Sequence, residues 1–87
     1  MEFEYDPPKS ASNYLKHGID FEEGQNLWKD GRGVEIKVGS SAEQRSVFIA
    51  RYRDKHWTAV FTYRNDRIRL ISIRRARLKE IMLYDNR

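Results

Sequence analysis

Between residues 51 and 75 the sequence places seven arginines (Arg51, Arg53, Arg64, Arg67, Arg69, Arg74 and Arg75), with His56 among them. A guanidinium is a planar fork that matches a phosphate bidentately and stays charged at any physiological pH. Such a cluster points to phosphate chemistry, while His56 starts a strand among them, where a lone histidine beside a turn is more often exposed than catalytic. Other chemistries lack their residues. There is no cysteine, so no disulfide, thiolate nucleophile or cysteine zinc site. His17 and His56 are too few for an all-histidine metal centre, and neither metal nor cofactor is expected. Gly31-Arg32-Gly33 leads into a strand pattern, so it reads as a connection and not as a phosphate-cradling loop. Glu22-Glu23 suits the first turn of a helix, His17 before Gly18 suits a helix C-terminus, and Trp28 and Trp57 read as core.

These residues sit in a chain of 87, long enough for one domain spanning 1–87. A chain this short buries roughly 60–65% of its unfolded surface, which leaves a thin stability margin or one shared with a partner. Aromatic residues make up 13% of it, enough to argue against disorder. The net charge of +4 conceals an asymmetry: residues 1–44 carry −4 and residues 45–79 carry +9. A polyanion is therefore the expected partner, with a solvated basic surface as the bland alternative. No apolar run is long enough to span a membrane, and the acidic start (Glu2, Glu4, Asp6) is unlike a signal peptide. The expected compartment is the cytoplasm.

The elements that position the arginines follow from periodicity. Residues 2–5 alternate as a short strand. Asp6-Pro7-Pro8 opens a helix that Gly18 closes, and Asp20 caps a second helix ending near Asp30-Gly31. Residues 34–38 form a strand, residues 39–43 a polar loop, and residues 45–53, 56–64 and 67–73 a three-stranded meander. A last helix spans about residues 75–84. The order βααββββα predicts an α+β fold, a single antiparallel sheet with its helices on one face.

If both hairpins close on two-residue turns, Tyr52 faces Trp57 and Tyr63 faces Ile68. One sheet face then gathers Phe48, Ala50, Tyr52, Trp57, Ala59, Phe61, Tyr63, Ile68, Leu70 and Ser72, a seat for the helices. The other gathers Val47, Ile49, Val60, Ile71 and Ile73 with Arg51, Arg53, His56, Thr58, Thr62, Arg64, Arg67 and Arg69. Like charges on one face repel, an arrangement kept where a polyanion occupies it. Alternatively, the arginine stems merely cover the apolar residues. A one-residue bulge would exchange part of this sorting.

Phe3-x-Tyr5-Asp6-Pro7-x-Lys9, Asn13, Lys16-His17-Gly18-Ile19-x-Phe21-x-Glu23 and Arg69-x-Ile71-Ser72-x-Arg74-Arg75-Ala76, with Glu80 and Tyr84, together resemble the BrnT toxin family over essentially the whole chain. Tyr5 stands where tryptophan is common there, and Gly24 where alanine is usual. The resemblance implies a single RelE-like toxin domain from a type II toxin–antitoxin module. It further implies an endoribonuclease that inhibits translation, neutralised by a BrnA-type antitoxin, with operator DNA reached only through the antitoxin complex. RNA supplies its own nucleophile, the 2′-OH, so cleavage needs orientation and charge neutralisation and no metal. On that reading Arg64, Arg69 and His56 are the catalytic candidates, and Arg51, Arg53, Arg67, Arg74 and Arg75 contact RNA. Arg74 and Arg75 could instead pair with Glu80. His56 ranks first as general base, ahead of Tyr63 or a carboxylate. The alternative is a non-catalytic RNA- or DNA-binding module using the same face, and that face could also dock the antitoxin.

Overall fold

Gly18 ends the first helix and Asp20 starts the next, as their residue types dictate. Gly18 adopts the left-handed conformation (φ 80°) and its N–H reaches Tyr14 O at 2.8 Å. Asp20 Oδ1 accepts the Glu23 N–H at 2.7 Å. The structure, a computed structural model, describes residues 1–39 and 44–86. Most of the expected polar loop, residues 40–43, lies outside the described residues. The elements are β1 (Glu2–Glu4), α1 (Pro7–His17), α2 (Phe21–Gly24) running into a 3-10 helix (Gln25–Lys29), β2 (Val34–Val38), β3 (Arg45–Tyr52), β4 (Lys55–Arg64), β5 (Arg67–Arg75) and α3 (Leu78–Asp85). The fold is α+β, built on one five-stranded sheet in the order β1-β5-β4-β3-β2.

Three details differ from the sequence reading. The sheet is mixed and not wholly antiparallel, because β1 runs parallel to β5. Glu-Phe-Glu reads the same in either direction, so its pattern carries no orientation. In the parallel register Phe3 lies beside Ile68 on the core face, while Glu2 and Glu4 lie beside Arg67 and Arg69. Opposite charges thus meet across the strands.

The helices do not share one face. α1, α2 and the 3-10 helix cover the core face, where Phe21, Leu27, Phe48, Ala50, Ala59, Phe61 and Ile73 are buried. α3 packs on the other face, where Ile49 and Thr58 are fully buried beneath it. Glu80 fixes its start: it binds Arg74 by two bonds of 2.9 Å and accepts from Thr58 Oγ1 at 2.9 Å and from the Arg77 N–H at 2.7 Å. Asp30 fixes its end, accepting from Tyr84 Oη at 2.7 Å and from the Arg51 N–H at 2.8 Å.

The register also shifts. The first turn is Arg53-Asp54, so Ala50, and not Tyr52, faces Trp57, whereas Tyr63 faces Ile68 as expected. A slip of two residues preserves which face each side chain occupies. A bulge is different: beyond Phe61↔Leu70 the pairing resumes as Val60↔Ser72. The extra residue turns Ile73 into the core and Ser72 outward, exchanging their predicted faces. Buried Asn13 secures the bulged strand where β1 no longer reaches. Its amide donates to Ile73 O at 2.9 Å and Ile19 O at 2.8 Å, and accepts the Ile73 N–H at 3.0 Å.

Candidate functional site

The part of the second face that α3 leaves open carries the arginines of the β4–β5 hairpin. Asn65 and Asp66 both adopt left-handed conformations (φ 51° and 67°), the geometry of a tight two-residue turn, and Arg64 and Arg67 face each other across it. Arg69 follows two residues on, on the same face. Beside them a cleft of about 490 Å³ is lined by Lys9, Gln44, Arg45, Thr62, Tyr63, Arg64, Arg69 and Ile71.

One carboxylate organises this corner. Glu4 Oε2 accepts from Arg69 Nη1 at 3.1 Å and lies 3.9 Å from Arg64 Nη1, while its Oε1 is 3.8 Å from Arg67 Nη1. Arg67 Nε is in turn 3.3 Å from Glu2 Oε1. Pairs this exposed contribute little stability individually. Their effect is positional, since a shared acceptor turns three guanidinium groups toward one point. A phosphodiester, with its own oxygens and negative charge, presents the same acceptor chemistry.

Tyr63, at the rim, is a poor proton acceptor. Burial and the proton its hydroxyl shares with the Glu35 carboxylate, 2.8 and 2.9 Å from its two oxygens, push it up to about 12, so it keeps its proton at neutral pH.

The other predicted residues lie elsewhere. His56 faces Arg51 at the far end of β4, eight residues or roughly 26 Å from Arg64 at the usual strand rise. There it sits under α3 with its ring against the Tyr84 edge at 5.1 Å. Its buried Nε2 makes no hydrogen bond, and Asp85 is 3.9 Å away. The Arg51 guanidinium is 3.7 Å from Asp54. Arg53 occupies the β3–β4 turn, 3.3 Å from Glu23 on the side that α1 and α2 cover. Arg74 is committed to Glu80, whose carboxyl is held down at about 2 by the Arg74 fork, against burial, with help from the Arg77 N–H and Thr58. Arg75, past the bulge, lies over the Trp57 ring at 5.7 Å. The structure therefore brings Arg64, Arg67 and Arg69 together and separates the other five.

Lys9, Arg45 and Glu4 join the site without having been singled out. Glu4 had a legible signal, its alternation with Phe3, which sends both β1 glutamates to the face opposite the core. Lys9 had none, because its place depends on how α1 crosses the sheet. Among the described residues no group of three His, Asp or Glu side chains could hold a metal ion, and no helix is long and apolar enough to cross a membrane.

A search of curated proteins returns no match. Residues 5–80 match the family model for the BrnT ribonuclease toxin of type II toxin–antitoxin systems. The matched span runs from α1 to the start of α3 and takes in the Arg64, Arg67 and Arg69 corner; Glu2 and Glu4 lie just before it. With so much of its length matched, the chain belongs to the BrnT family of ribonuclease toxins.

Proposed function

We propose that the chain is a metal-independent endoribonuclease whose active site is the corner formed by Arg64, Arg67 and Arg69 with Glu4. The observation that carries this reading is the single carboxylate shared by three arginines at 3.1 to 3.9 Å beside an open cleft. An RNA phosphate competes with Glu4 for the guanidinium groups. Once it takes them, the displaced carboxylate is left beside the phosphate with its proton-accepting oxygens free. Glu4 then removes the 2′-OH proton, the 2′-oxygen attacks phosphorus, and the P–O5′ bond breaks as the departing 5′-oxygen takes a proton from solvent water, leaving a 2′,3′-cyclic phosphate and a 5′-OH. Arg64 and Arg69 neutralise the charge that builds on the phosphate oxygens, and Lys9 adds a mobile positive charge on the α1 side. Glu4 replaces His56 as general base, because reach comes before basicity in choosing one.

Cleavage of cellular RNA by this site would inhibit translation, and a BrnA-type antitoxin would neutralise the toxin and carry the complex to operator DNA. The test is incubation with RNA in EDTA. Cleavage leaving 2′,3′-cyclic ends, and abolished by Arg69→Ala, supports the proposal. Intact RNA with salt-sensitive binding would leave a binding module on the same face.

A further inference from the structure

A second cleft, of about 260 Å³, opens on the sheet face that α1 and α2 cover, at the far end of β4. The end of α1, the β3–β4 hairpin and the end of β5 converge on it. His17, Arg53, Lys55 and Arg75 line it, and Glu23 is the one carboxylate in that lining. Glu23 is already engaged, by Tyr52 Oη at 3.0 Å and by Arg53 at 3.3 Å. Among the described residues neither Lys55 nor Arg75 has a carboxylate partner. The Trp57 ring under Arg75 orients its guanidinium without neutralising it.

The backbone supplies a second, independent observation. Among the described residues, four other than glycine hold a positive φ: Arg53, Asp54, Asn65 and Asp66. Aspartate and asparagine tolerate that conformation and arginine does not, so the φ of 53° at Arg53 is strained. Asparagine or glycine would relieve it. A strained residue whose charge faces a cationic cleft marks a position where the side chain outweighs the conformation.

We propose that this cleft is a second phosphate site, holding the backbone of a polynucleotide at a distance from the bond that is cut. The proposal rests on the chain acting on RNA, but its test does not require cleavage. A single-stranded 2′-deoxy 12-mer lacks the nucleophile, so its binding is read without turnover. With Lys55→Gln/Arg75→Gln the affinity near 0.1 M salt should fall about tenfold, and the slope of log K against log salt should become shallower by about 1.4, or 0.7 for each lost contact. The loss should multiply with that of Arg64→Ala/Arg69→Ala, as expected of clefts on opposite faces.

Arg53→Asn gives the check that folding cannot confound: it should raise the melting temperature by roughly 4 °C while weakening the 12-mer severalfold. An unchanged slope in the Lys55/Arg75 variant, or unchanged 12-mer binding in the more stable Arg53 variant, would overturn the proposal. So would saturable binding of inorganic phosphate in the cleft with no effect of these variants on the 12-mer, which would assign the cleft to a free anion. Loss of RNA cleavage with the slope change intact would overturn only the nuclease reading.

Discussion

Glu4 is the organiser of the arginine corner and, on the proposed mechanism, the competitor of its substrate, and a neutral isostere separates those two roles. Glu4→Gln should lower the cleavage rate by about 10²-fold or more through loss of the base. The same change should tighten binding of an uncleavable oligonucleotide, since three guanidinium groups no longer share a carboxylate; filter binding alongside single-turnover cleavage checks both. Arg69→Ala should cost about 10²–10³-fold in cleavage rate by removing a charge-stabilising donor. The trio Arg64, Arg67 and Arg69 was legible in the sequence because strand alternation and the Asn65-Asp66 turn together fix which face they share. Glu4 was harder to place, since a three-residue strand that reads alike in both directions specifies no neighbour. For His56, period two gave the correct face, but it says nothing about distance along the strand or about the helix lying above.

α3 owes its place over the sheet to two carboxylates, and that makes its docking sensitive to acid. The Glu80 carboxyl is depressed from its usual 4.5 to about 2, by the Arg74 fork first. Its stabilising contribution is therefore full above about pH 4.5 and is lost as pH falls toward 2, an amount on the order of 3 kcal/mol. Glu80→Gln should flatten the acid limb of the stability curve, which urea titrations between pH 2 and pH 6 would measure. Asp30 works in the same direction. Burial pushes its carboxyl up, but the Arg51 N–H, Tyr84 and the Arg32 N–H outweigh this and hold it below the usual range. On the core side, Asn13 plays the part of a missing strand. Asn13→Leu leaves the Ile73 N–H and two carbonyls unsatisfied and should cost about 3 kcal/mol in chemical denaturation. Helix boundaries and caps were readable from Gly18 and Asp20, whose chemistry is local. The face chosen by α3 was not, because it depends on the bulge opposite Val60 and Phe61, which no residue in β5 announces.

Across the whole molecule the acidic first half folds back on the basic second half. Glu2 and Glu4 meet Arg67, Arg64 and Arg69, and Glu23 meets Arg53. Part of the positive charge that remains lines the two clefts, on opposite faces and at opposite ends of β4. An oligonucleotide held only at the corner, by about four cations, should show a salt slope near −3, and one reaching both clefts a slope near −4. Titrating oligomers of increasing length would show the step from one value to the other. The sequence-level asymmetry foretold a polyanion, but only the folded arrangement shows how much of that charge is already spent internally.

The partnership of β1 with β5 has a consequence for the timing of synthesis. Glu4 and Arg69 are 65 residues apart in the chain, and the corner exists only when both are present and paired. If this corner cuts RNA as proposed, a nascent polypeptide cannot do so until β5 has left the ribosome. Chains abandoned before β5 lack the corner altogether, so on the proposed mechanism an interrupted round of translation yields no fragment able to cut RNA in the cell that made it.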